Sequence, residues 1–159
     1  MLRRLVADGR LQPPGGTGFA LTPALRESYL SGDTEELEYV ALLDAARASL
    51  RLIGGAGDDE GDGKEPWRRV VISVDTDNAT VRPDLDAAVV KLSAPIAFED
   101  VAAVHVDTEE AEEAVRAAAG VVDAADLGDP DAEFVLGEAE DHELAWYAPQ
   151  ELPFLLDLL

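Results

Sequence analysis

A helix with two apolar faces must be packed over on both, and residues 33–53, DTEELEYVALLDAARASLRLI, read as such a helix. Asp33 is placed to cap its first turn, and Glu36, three residues on, completes a capping-box pattern. At 100° per residue, Tyr39, Leu43, Ala46, Leu50 and Ile53 share one face, and Leu37, Ala41, Ala48 and Leu52 share a second. Only a strip holding Asp44, Arg47 and Arg51 is plainly polar. The other elements of the chain must therefore supply cover for this helix.

Before it, Leu2, Leu5 and Val6 mark a short helix facing inward, followed by a loop at Gln12-Pro13-Pro14-Gly15-Gly16 and a short extended piece at Phe19–Leu21. Thr22-Pro23 is a strong helix start, a capping hydroxyl followed by a proline whose missing N–H is harmless in the first turn. After the long helix, residues 54–67 read as a flexible acidic loop. A calcium-binding frame starting at Asp58 fails, because its twelfth position is Arg69, where a bidentate Glu is needed. Strands are expected at Arg68–Val74, Ala87–Ala94, Ala102–Val106 and Glu143–Ala148, from their β-branched and aromatic content. Two further helices are expected, one from Glu109 to Ala119 with Gly120 at its end, the other starting at Asp129-Pro130 with Phe134, Val135, Leu136 and Ala139 inside. The apolar end, Pro149–Leu159, is expected to pack back on the sheet.

Charge and composition exclude several functions. The net charge of −22 repels nucleic-acid backbones and anionic lipid, and from Asp107 to Glu143 fourteen acids face a single base, Arg116. Residues 1–31 run the other way, with four Arg against Asp8 and Glu27. There is no Cys, which removes disulfides, thiolate metal sites and thiol nucleophiles. No apolar run approaches a bilayer span, and the N-terminal residues do not form a signal peptide, so the protein reads as cytoplasmic. Abundant Ala, Asp, Gly and Arg beside two Lys and one Asn suggest GC-rich coding, which itself raises the acid count.

The segments TPALRESY, EELEYVALLDAARASLRL, AAVHVDT and HELAWYAPQE together resemble an uncharacterised family of actinobacterial proteins defined only as a domain of unknown function. The resemblance implies no activity. It does imply a short first strand, of the type Arg-Val-Tyr-Val-Pro, ahead of the helix at Leu2. The chain as given lacks that strand, so an unpaired edge is expected beside Arg68–Val74 or one of its neighbours.

Candidate site residues are few. His105 and His142 are the only histidines. With Asp107, Glu109, Glu110 and Glu143 they could form a metal set if the third and last strands are neighbours. They lie 37 positions apart without ligand spacing, so no metal and no cofactor is assigned. Trp146 and Tyr147 point to opposite faces of a strand, one into the core and one to a rim. Arg26, Arg47 and Arg51 could bind an anion, although the many acids favour salt bridges. The glycines at 15, 16 and 18 fit neither phosphate-loop nor dinucleotide fingerprints, and no serine sits in a nucleophile elbow.

The expected fold is α+β, a single domain over residues 1–159. It would have two layers, one sheet of about four strands and helices mainly on one face, ferredoxin-like with additions. The leading functional reading is a non-enzymatic interaction or regulatory module with an acidic surface for a protein partner. It assigns no catalytic residue. Arg26, His105, Asp107, His142 and Trp146 are the candidate binding residues. The rival reading is a small-molecule enzyme with a pocket near the His105 and His142 strands or Arg26.

Overall fold

The computed structural model describes residues 1–56 and 66–159. The acidic segment 57–65, with most of the calcium frame considered above, lies outside the described residues. The chain divides into two compact units, each built from two stretches: residues 1–45 with 73–102, and 46–72 with 103–159.

In the first unit, α1 (Leu2–Asp8) buries Leu2 and Leu5. Val6, expected inside, is exposed, because it stands 100° round from Leu5. The helix stops at Gly9, whose φ of 71° is a conformation that only glycine adopts cheaply, and whose N–H donates to the Leu5 carbonyl at 3.0 Å. β1 (Arg10–Leu11) then pairs antiparallel with β6 (Ile96–Ala97), while β2 (Thr17–Phe19), β5 (Val89–Leu92) and β4 (Ala79–Val81) form a second antiparallel sheet in the order β2-β5-β4.

Thr22 is the hinge of this unit's core. Its hydroxyl accepts from the Leu25 N–H at 3.0 Å, starting α2 (Pro23–Glu27), and donates to the Ala87 carbonyl beside β5. With these two hydrogen bonds made, Leu25 sits in a buried cluster with Ala41 and Ala88, lined by Phe19, Leu21, Val40 and Ala87.

The long helix, α3, runs from Thr34 to Ala56, and the Asp33 carboxylate accepts from the Glu36 N–H at 2.8 Å. Each of its apolar faces is buried over only half its length. Leu37 and Ala41 are buried in the first unit, and Ala46 and Leu50 in the second. The remaining halves are open: Tyr39 is 50% exposed, Leu43 40%, and Leu52 is exposed as well. The expectation of full burial on both faces is thus corrected. The helix also continues through Gly54 and Gly55, which the sequence reading had placed in a loop. A Cβ at Gly54 would stand 2.5 Å from the Ala119 carbonyl oxygen, so the helix passes close to that backbone only because glycine is there.

In the second unit Leu50 packs with Ala111, Val115, Ala118, Val122, Ala125, Ala132, Leu136 and Ala139. These come from a 3₁₀ turn at Glu109–Ala111 and three helices, α4 (Glu112–Ala119), α5 (Val122–Asp126) and α6 (Pro130–Glu140). Asp129 caps α6 by accepting from the N–H groups of Asp131 and Ala132. The inward positions of α6 are Ala132, Leu136 and Ala139, at i, i+4 and i+7. Phe134 stands 200° round from Ala132 and is exposed, which corrects its expected place in the core. α5 was not foreseen; it follows at once on Gly120, which closes α4 in an ordinary right-handed conformation.

β3 (Val70–Val74), β7 (Val101–Val106) and β8 (Ala145–Tyr147) form a third sheet in the order β3-β7-β8. β7 and β8 are antiparallel, with Val104 opposite Tyr147, His105 opposite Trp146 and Val106 opposite Ala145. The chain ends in α7 (Leu152–Leu158), which buries Leu152 and Leu155 and exposes Phe154 and Leu158. The α+β class holds. In place of one sheet of about four strands there are three small ones among the described residues, and the four strands of the expected ferredoxin-like core are shared between two of them. The cause is local: Pro83, Pro95 and the Asp-rich turns around them cut the 75–100 stretch into strands of two to four residues.

Three substitutions test this packing by urea denaturation. Leu50→Ala should lower stability by about 2–5 kcal/mol, far more than Leu43→Ala. Gly54→Ala, which in an unobstructed helix gains up to about 1 kcal/mol, should instead destabilise. A neutral Leu50→Ala or a stabilising Gly54→Ala would refute the packing described.

Candidate functional site

The most tightly specified polar cluster of the second unit lies where β3 begins and β7 ends. Arg69 and Asp107 are both buried. The Arg69 Nε donates to Asp107 Oδ2 and its Nη2 to Oδ1, both at 2.8 Å, a two-pronged pair. The Arg69 backbone N–H donates to the same Oδ2 at 2.8 Å, and the Asp107 N–H donates back to the Arg69 carbonyl at 3.1 Å. Nη2 donates in addition to the His142 carbonyl at 2.8 Å, which ties the turn before β8 to the pair.

The two residues before Arg69 extend this contact. Arg68 Nε lies 2.9 Å from Glu112 Oε1, and the ring of Trp67 has the Arg116 guanidinium 5.6 Å from its centroid. Three consecutive side chains, Trp67, Arg68 and Arg69, therefore engage Arg116, Glu112 and Asp107. The Val70 N–H donates to Ser49 Oγ on α3 at 3.1 Å.

The candidates from the sequence fall as follows. His105 and Trp146 face each other across the β7–β8 ladder, so their side chains share one face of the sheet. Trp146 is 61% exposed and His105 half-buried. Burial holds the His105 imidazole below its ordinary pKa of 6.5, so it is neutral at neutral pH. Asp107 and His142 meet at Arg69, the latter through its carbonyl. Arg26 belongs to the first unit, is exposed, and donates to Thr34 Oγ1 at 3.2 Å.

The third and last expected strands are indeed neighbours, which was the condition set for a metal site. Both Asp107 oxygens, however, accept from Arg69. Among the described residues no three His, Asp or Glu group so as to hold a metal ion.

Arg69 was the residue that sequence reasoning missed. The signal was there: a charged residue at the mouth of a β-branched run, with Asp107 at the end of another. Arg47 and Arg51 are held by acids, as expected. Arg51 makes a two-pronged contact with Asp126 at 2.7 and 2.9 Å, and Arg47 reaches Asp126 at 3.1 Å and Glu133 at 3.3 Å. The hydrogen bonds from Arg51 hold the Asp126 carboxyl below the usual range.

A different feature lies on the outer side of α6. Phe134 is 71% exposed, and Asp131 and Glu138, three residues before and four after it, occupy the same helix face. Leu127, just beyond α5, is 89% exposed.

These features define a small acidic α+β protein with a buried Arg69–Asp107 ion pair in its second unit. The chain belongs to a family of unknown function (DUF6912), whose model matches residues 1–156. No curated protein and no solved structure matches it. No described helix is long and apolar enough to cross a membrane.

Two outcomes are expected at the site. Asp107→Asn should cost about 3–5 kcal/mol, because it leaves the buried Arg69 uncompensated, while the double replacement Arg69→Met with Asp107→Leu should recover most of that loss. Equal losses in both would mean that the pair itself, rather than the unpaired charge, is what matters. For His105, the unfolded chain binds its proton at higher pH than the folded one. Its contribution to stability is therefore full above about pH 6.5 and is lost as pH falls from there through the lowered folded value. His105→Gln should flatten the dependence of the unfolding free energy on pH below 6.5, and an unchanged slope would show that the imidazole is not responsible.

Proposed function

We propose that the protein is a non-enzymatic cytoplasmic interaction module whose acidic helical surface takes a basic protein partner. The observation that carries this reading is Phe134, a large apolar side chain held out at 71% exposure between Asp131 and Glu138 on α6. Buried aromatic anchors supply much of the energy of protein interfaces, and surrounding charge sets the sign of the partner and the rate of encounter. The long acidic run from Asp107 to Glu143 supports the same sign of partner and argues against nucleic acid or anionic membrane. The rival enzyme reading near His105 and His142 is weakened by the engagement of Asp107 with Arg69.

The test is affinity capture from lysate at low and high salt, comparing the native chain with Phe134→Ser and with Asp131→Asn/Glu138→Gln. The expected result is a basic protein retained at low salt by the native chain and lost in both variants. Retention that is equal in all three, or a partner indifferent to salt, would count against the α6 face.

We further propose that residues 1–159 unfold as one domain. Both units are made of interrupted chain, and α3, β3 and β7 each have residues in both, so neither unit owns a complete set of elements. Tryptophan fluorescence reports on the second unit through Trp67 and Trp146, and near-ultraviolet circular dichroism adds Tyr29 and Tyr39 of the first. Their denaturant transitions should coincide, and two separated midpoints would exclude a single domain.

A further inference from the structure

We draw no further inference here: the strongest candidate, the apolar strip that Tyr39 and Leu43 leave exposed on the N-terminal half of α3, carries none because nothing in the structure shows what covers it.

Discussion

An arginine and an aspartate taken out of water together must satisfy each other almost completely, and Arg69 and Asp107 do so. The carboxylate receives three N–H donors, and the guanidinium has a further acceptor in the His142 carbonyl. Desolvating two such ions costs several kcal/mol each, so the pair survives only if every neighbour holds its place. The start of β3, the end of β7 and the turn before β8 are fixed relative to one another by that requirement. Trp67 and Arg68, immediately before the pair, engage Arg116 and Glu112 of α4.

The sequence made the helices and strand cores legible because their signals are local. Asp33, Thr22 and Asp129 each cap a helix where the residue pattern placed a start, Val70–Val74 lies inside a stretch read as a strand, and Val101–Val106 begins one residue ahead of another. What the sequence did not disclose is which halves of an apolar face find cover. Tyr39 and Leu43 carry the same periodic signal as Ala46 and Leu50, yet only the latter pair is buried, because burial depends on chain far away in sequence. Phe134 misled for a related reason. Hydrophobicity suggested an inward position, whereas the phase of the helix is set by Ala132, Leu136 and Ala139, three smaller or aliphatic side chains that fit the close packing.

The site was legible only in part. Asp107 and His142 were singled out as a carboxylate and an imidazole, but it is the carboxylate and a backbone carbonyl that meet at Arg69. Composition hid the arginine: in a chain with 34 acids, any basic residue looks like a surface counter-ion. The pairing of His105 with Trp146 required the register of β7 on β8, which a one-residue slip would have reversed.

The second unit's core is built largely from alanine, with Ala111, Ala118, Ala125, Ala132 and Ala139 at seven-residue intervals around a few valines and leucines. Side chains this small let helices approach closely, and they leave little that can be trimmed away. Nearly every single-nucleotide change in an alanine codon enlarges the side chain or adds a polar group; only glycine is smaller. Inherited damage to such a core would therefore arise chiefly by overfilling, at roughly 1–3 kcal/mol for each added methyl-sized group, rather than by the cavities that erode leucine-rich interiors. Natural variation at these five positions should be confined to glycine, serine and alanine itself, whatever partner the surface serves.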